Sequence, residues 1–301
     1  MNHLRFLRYA DEVARVGSIR QAAERLHVAP SAVNRRIQDL EEELGTQLFE
    51  RLPRGMRLTT AGELFMRYVR GRFAELDRVR SEIEELKGLR RGTVRLVASQ
   101  GLAPRFLPAA IQAFRETHPL VAFDVRIGDH VQAAQALRNF GTDLALVFNL
   151  APESDIERAA AVEQRLMALM HARHPLAARS SRAGLRLRDC VDYPVVLPNR
   201  DTGGRQMLER FLSRSSIRLQ AMVESNSFEF LRGCVYDQRS ISFQMAIGAQ
   251  PDEQDIVARE IEDRGFPRGE LVLAHLRGRQ LPVIAYAFSD FLARRIAAHG
   301  A

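Results

Sequence analysis

Ser31, Asn34, Arg35 and Gln38 fall three or four residues apart in a helix-forming stretch, so the four side chains share one helix face. No acid interrupts them before Asp39. Such a face can do hydrogen-bond chemistry. An arginine donates in parallel to the two acceptors of guanine, an asparagine pairs with the donor and acceptor of adenine, and a serine reaches a base or a phosphate. Arg51, Arg54 and Arg57 follow, around Pro53 and Gly55, and can meet phosphates or a minor groove. On a lone helix these residues would only solvate a surface; their meaning depends on the elements that carry them.

Those elements are legible. Leu4, Leu7, Tyr9, Ala10, Val13 and Val16 have helix spacing, and Gly17 ends the run. Ser18 and Gln21 fit a capping box for a second helix, in which Ala22, Ala23 and Leu26 form the buried stripe. His27 and Val28 make a tight turn, and Pro30 suits the first position of a third helix. Ala32, Val33, Ile37, Leu40 and Leu44 give that helix its apolar face, and Gly45 stops it. Residues 50–59 read as a small hairpin with arginines at its tip and flanks. Two helices around a tight turn, followed by such a hairpin, make a winged helix-turn-helix over residues 1–59, whose second helix enters a major groove. The partner this implies is double-stranded DNA. Arg20, Pro30, Ser31, Asn34, Arg35, Gln38, Arg51, Arg54 and Arg57 are the expected contacts.

Thr60 and Glu63 fit another capping box, opening a long linker helix within residues 60–91. Phe65, Val69, Phe73, Leu76, Val79, Ile83 and Leu86 recur every three or four residues on a highly charged helix. The stripe can pack on its own domain or pair with a second chain; its length favours a seam between chains, and hence a homodimer.

Residues 88–92 read as a linker, after which the pattern changes to alternating strands and helices. Strands are expected at 93–99, 121–127, 143–148, around Val195 and Val223, at 240–243 and at 271–276. Helices are expected at 104–117, 131–140, from Gly204, from Phe228 and at 282–298. The alternation implies a parallel-rich α/β architecture over residues 92–301. Ligands in open α/β sheets bind beyond the carboxyl ends of strands, beside helix N termini. Ser99 and Gln100, Thr202, Asn226 and Ser227, and Gln244 occupy such places. Each can equally be ordinary turn and capping chemistry. Arg200 and Arg205 are close enough in sequence to add charge, and Arg239 is an alternative to Gln244.

Composition bounds the rest. The chain has 301 residues, 46% hydrophobic and 27% charged, with formal net charge +7, which suits a globular protein with a polyanionic partner. Lys87 is the single lysine among 44 basic residues, so arginine identity alone assigns nothing. No apolar run approaches the ~18 residues of a membrane span. The N terminus lacks a secretory pattern, so the expected location is cytoplasmic. Cys190 and Cys234 form no metal or CxxC spacing; inert buried thiols are the reading, a redox pair the alternative. His118, His130, His171 and His174 are scattered, with no catalytic triad, metal cluster or phosphate loop, so no enzyme activity, cofactor or metal is expected. A free solute-binding protein fits the α/β half alone, but not its fusion to a DNA-binding module.

The chain resembles the LysR-type transcriptional regulators. The residues that carry this are Phe6-Leu7, "GSIRQAAERLHVAPSAVNRRIQDLEEELGTQLFER" from Gly17 to Arg51, and "RLTTAGE" from Arg57 to Glu63. The resemblance implies an α+β multidomain protein: winged helix-turn-helix, long linker helix, and a two-lobed α/β effector-binding domain. Lobe one would hold about 92–163 and 266–301, lobe two about 164–265. It implies a small-molecule effector between the lobes, for which the hydroxyls, amides and helix N termini favour an anion. It implies a homodimer, a tetramer assembled through the lobes, and contact with RNA polymerase. A ligand-independent or redox-responsive DNA-binding regulator is the alternative. Two departures stand out. Family members often carry a Ser or Thr cap and a Gln where this chain has Ala29 and Pro30, and a second Ser at the place of Asn34. The glycines and proline common in their second lobe are absent from residues 238–245.

Overall fold

The computed structural model describes residues 2–53, 55–86, 91–178, 184–249 and 255–298. The wing-tip Arg54 lies outside the described residues. The chain forms two compact units, the first running to Ile83 and including Arg138–Gly141, the second holding Glu84–Leu137 and the chain from Thr142 on.

In the first unit, α1 (Asn2–Val16), α2 (Ile19–Leu26) and α3 (Pro30–Leu44) pack around one core. Val13, Ala22, Ala23, Val33 and Ile37 are buried at its centre. The two alanines keep α2 close to its neighbours, because neither holds them apart by more than a methyl group. Ser18 caps α2 by accepting from the Gln21 N–H at 3.4 Å, and His27 ends it in the left-handed conformation. Pro30 opens α3, where its missing N–H costs no hydrogen bond. β1 (Phe49–Leu52) and β2 (Gly55–Leu58) form the antiparallel wing. The wing is fastened twice to the helices. Glu41 Oε1 of α3 accepts from Leu48 N at 2.8 Å and Phe49 N at 3.0 Å, and Met56 N donates to Gly17 O at 2.8 Å.

α4 (Thr60–Leu86) corrects the sequence reading at its start. Its cap is Thr59, one residue earlier than expected: the Thr59 hydroxyl accepts from Gly62 N at 2.9 Å and donates to Gln47 O at 2.8 Å. Gly62 lies against the backbone, since a Cβ there would sit 2.0 Å from Leu48 O. Along the stripe, Phe65, Val69 and Phe73 pack into the core of their own domain, so the seam expected between chains does not begin at the helix start. Val79, Ile83 and Leu86 stay exposed, at 36%, 45% and 88%.

In the second unit, β3 (Gly92–Ala98), α5 (Phe106–Thr117), β4 (Val121–Ile127), α6 (His130–Arg138), β5 (Leu144–Phe148) and β6 (Ile156–Gln164) build the first lobe. The chain crosses to β7 (Leu166–His171), β8 (Val195–Pro198), α7 (Gly203–Leu212), β9 (Ala221–Ser225), α8 (Phe228–Cys234), β10 (Ile241–Met245) and β11 (Ile256–Glu260). It returns through β12 (Gly269–Leu276) and α9 (Val283–Ala297). The two sheets have strand orders β4-β3-β5-β12-β6 and β11-β7-β10-β8-β9. Alternate residues of β3 face opposite helices: Val94, Leu96 and Ala98 join the core with Phe106, Phe114 and Phe288, while Val97 packs with Ala133 and Leu137.

The expected parallel-rich sheet is corrected to a mixed one. Pairings β3–β4, β3–β5, β8–β9 and β8–β10 are parallel; β5–β12, β6–β12, β7–β10 and β7–β11 are antiparallel. The sequence reading omitted β6, β7 and β11. These are the strands that carry the chain between the sheets or return at an edge, where no helix intervenes to mark a βαβ unit.

Candidate functional site

The polar face of α3 takes shape because Val33, Ile37 and Leu40 turn inward. Pro30, Ser31, Arg35 and Gln38 are exposed and Asn34 is half-buried. Arg35 has no hydrogen bond or ion pair among the described residues, so its guanidinium faces solvent uncompensated. The neighbouring Arg36 is spoken for: its guanidinium lies 4.0 Å over the Phe6 ring and 2.8 Å from Asp39. Of the other expected contacts, Arg20 pairs with Glu24 at 3.3 Å and Arg57 with Glu50 at 2.8 Å, both on the surface. Arg51 of the wing donates to Asn34 Oδ1 at 2.8 Å, a contact that sequence reading missed. The result is one exposed face carrying Ser31, Asn34, Arg35 and Gln38, flanked by a cationic wing. That geometry can place donors against base edges and cations against phosphates.

The second unit holds a cavity of about 280 Å³. Ser99, Gln100, Thr202, Asn226 and Gln244 line it, although the first four follow three different strands and Gln244 lies near the end of a fourth. Ser227 is not among the lining residues; its hydroxyl caps α8 by accepting from Phe230 N at 3.2 Å. Ser99 Oγ accepts from Phe148 N at 3.1 Å, which fixes it on the wall and leaves its proton available. The Thr202 hydroxyl donates to Asn199 O at 2.9 Å, so it faces the cavity as an acceptor. Gln244 is 6% exposed, and its Nε2 donates to Gly101 O at 3.3 Å. Gly203 and Gly204 at the start of α7 also line the cavity. A Cβ on Gly203 would lie 2.9 Å from Phe148 Cβ, so glycine permits the approach of this wall to β5.

Three arginines considered from sequence stay out of the lining. Arg205 does not reach the cavity: it is 3% exposed and donates to Glu209 at 2.6 Å, Pro198 O at 3.1 Å and Glu224 at 2.9 Å. Arg200 and Arg239 are absent from the lining as well. The charged or titratable lining residues are instead Asp129, His130 and Asp201, none of which was among the expected effector contacts. Asp129 had a readable signal, because it forms a reciprocal cap with Gln132 three residues on, at 2.8 and 3.1 Å. Among the described residues no group of three His, Cys, Asp or Glu side chains is placed to hold a metal. Cys190 is buried and Cys234 half-buried, and both are free thiols.

Family comparison agrees with both halves. The family model described as bacterial regulatory helix-turn-helix protein, lysR family, matches residues 4–63, and the LysR substrate binding domain matches residues 87–297. The chain belongs to the LysR family. It is a LysR-type DNA-binding transcriptional regulator. Among its relatives, the RuBisCO operon transcriptional regulator of Allochromatium vinosum is 28% identical over 292 residues, covering 96% of this chain and 95% of the relative. The transcriptional dual regulator GltC of Bacillus subtilis is 38% identical over 196 residues, 65% of each chain. Among solved structures, a full-length OxyR variant from Pseudomonas aeruginosa shares the fold with a TM-score of 0.73 at 21% identity, covering 96% of this chain and 94% of that one. CbnR complexed with its target DNA has a TM-score of 0.65 at 20% identity, covering 97% and 99%. Among the described residues of this LysR-type regulator, no helix is long and apolar enough to cross a membrane.

Proposed function

We propose that this regulator reads two DNA half-sites as a homodimer and that a small polar effector, held between the lobes of its second unit, changes how it does so. Ser31, Asn34, Arg35 and Gln38 read bases, Arg35 as the free bidentate donor to guanine. Arg20, Arg54 and Arg57 supply charge toward the phosphates. The exposed Val79, Ile83 and Leu86 support pairing of α4 with a second copy, and the lobes support further assembly into a tetramer. The chain acts by binding rather than turnover, in the cytoplasm, with RNA polymerase as the downstream partner.

The observation that carries the effector reading is the cavity of about 280 Å³, walled by hydroxyl and amide groups from both lobes. Its chemistry narrows the expected anion. The α7 N terminus offers free N–H groups, which suits one carboxylate. Asp129 and Asp201 line the cavity while no Arg or Lys of a described residue does, which leaves His130 as the lining side chain able to carry positive charge and disfavours a second negative charge. The effector is therefore a small polar molecule with at most one negative charge. A metabolite panel screened by thermal shift on the full chain tests this, followed by DNA binding with and without the hit. Ser99→Ala and Thr202→Val are expected to lose the ligand response and keep DNA binding. Variants that respond like the parent would place the effector elsewhere.

A further inference from the structure

The wing and the reading helix meet at one side-chain contact: Arg51 Nη2 donates to Asn34 Oδ1 at 2.8 Å. The chemistry of the pair fixes the amide's orientation. A guanidinium has donors only, so Asn34 must turn its oxygen to Arg51 and its Nδ2 the other way. The contact is held by more than itself. Strand β1 is tied to α3 at Glu41, whose carboxylate accepts from Leu48 and Phe49. Across the hairpin, Arg51 stands opposite Met56, whose N–H is bonded to Gly17 O at 2.8 Å. One strand of the wing is thus anchored on α3 and the other on the turn between α1 and α2, and Arg51 is delivered to Asn34 by backbone that is fastened on either side.

This changes what Asn34 can read. A free asparagine on such a helix pairs with adenine, its oxygen accepting from N6–H and its nitrogen donating to N7. Here the oxygen already takes a hydrogen bond from a cation. An adenine amino group approaching that oxygen would bring a donor toward the guanidinium. A base edge made of acceptors would instead meet the Nδ2 donors with the positive charge of Arg51 behind them. Guanine, with O6 and N7, presents that edge in the major groove.

We propose that Arg51 is a positioning residue for Asn34, and that the pair makes this helix position select guanine over adenine. Arg51 then acts through the amide rather than as a phosphate contact.

The test is selection of duplexes from a randomised pool by the full chain, with Arg51→Ala, Asn34→Ala and the double variant selected alongside. Asn34→Ala identifies the base pair concerned by flattening its preference. At that pair the parent is expected to select guanine, and Arg51→Ala to shift the guanine-to-adenine ratio toward adenine by about tenfold. The double variant is expected to match Asn34→Ala, because Arg51 has nothing left to orient. The dependence of affinity on salt is expected to keep its slope in Arg51→Ala, whereas losing a phosphate contact lowers the slope by about one. Arg51 is exposed, and thermal melting of each variant checks that the fold is intact. The proposal is overturned if Arg51→Ala weakens all sequences evenly and lowers the salt slope. It is equally overturned if the parent already selects adenine there, or if Asn34→Ala flattens no position. A parent that enriches no sequence at all would overturn it together with the DNA-reading role of α3.

Discussion

Arg205 is the residue whose removal the structure prices most closely. Its guanidinium is 3% exposed and ties three elements together: Pro198 O at the end of β8, Glu209 in α7 and Glu224 in β9. Replacement by methionine keeps most of the volume and removes all three hydrogen bonds. The two carboxylates count for less than their short distances suggest, because Glu209 and Glu224 remain 42% and 45% exposed and regain water. Pro198 lies in a fully buried strand, and leaving its carbonyl unsatisfied costs about 1–3 kcal/mol. Methionine has no charge to desolvate, which offsets part of the loss. The balance is a destabilisation of about 2–3 kcal/mol, worth roughly 4–12 °C in melting temperature for a unit of this size. Arg205→Lys is expected to lose a good part of the same stability, since one ammonium cannot span three acceptors set for a planar fork. The loss also bears on the cavity, because Thr202 and Asn226 stand immediately before α7 and after β9. Thermal and urea unfolding of the full chain measure the stability, and ligand response measures the wall. A methionine variant that melts within about 1 °C of the parent would refute the reasoning.

Three further outcomes follow from other parts of the molecule. Gly62→Ala forces a Cβ to within 2.0 Å of Leu48 O, and is expected to destabilise the winged domain by about 3 kcal/mol or more and to abolish operator binding, as gel shift and melting would record. His174 is buried; burial holds its pKa below the usual 6.5, against smaller opposing effects of Arg239 O and Asp237. The unfolded chain therefore binds a proton at a higher pH than the folded one, so stability is full above about 6.5 and falls as pH drops below it. Urea midpoints of the parent and His174→Gln across that range check this, the variant being expected to lose less on acidification. Val79→Asp with Ile83→Asp charges side chains already exposed, and is expected to leave each unit folded while weakening self-association in sedimentation; a dimer of unchanged stability would remove α4 from the interface.

Much of the DNA-binding unit was legible in the sequence. Helix starts and stops depend on residues a turn apart, so the Ser18 cap, the His27 turn and Pro30 at the head of α3 were readable. The polar face of α3 follows from helix periodicity once Val33 and Ile37 are known to point inward. The cavity-lining positions Ser99, Thr202, Asn226 and Gln244 were also readable one by one, because each follows or ends a strand. Tertiary structure decided what these residues do to one another. The Arg51–Asn34 bond joins residues seventeen apart through the register of the wing, which no local rule specifies. Arg205 looked like a surface charge beside a ligand site, and packing made it a buried staple. Asp129 and Asp201 face one cavity because two sheets with crossing strands bring distant loops together. Strands β6, β7 and β11 escaped the sequence reading for the same reason. Their pairing is antiparallel to partners far along the chain, and nothing in their own residues states which partner that is.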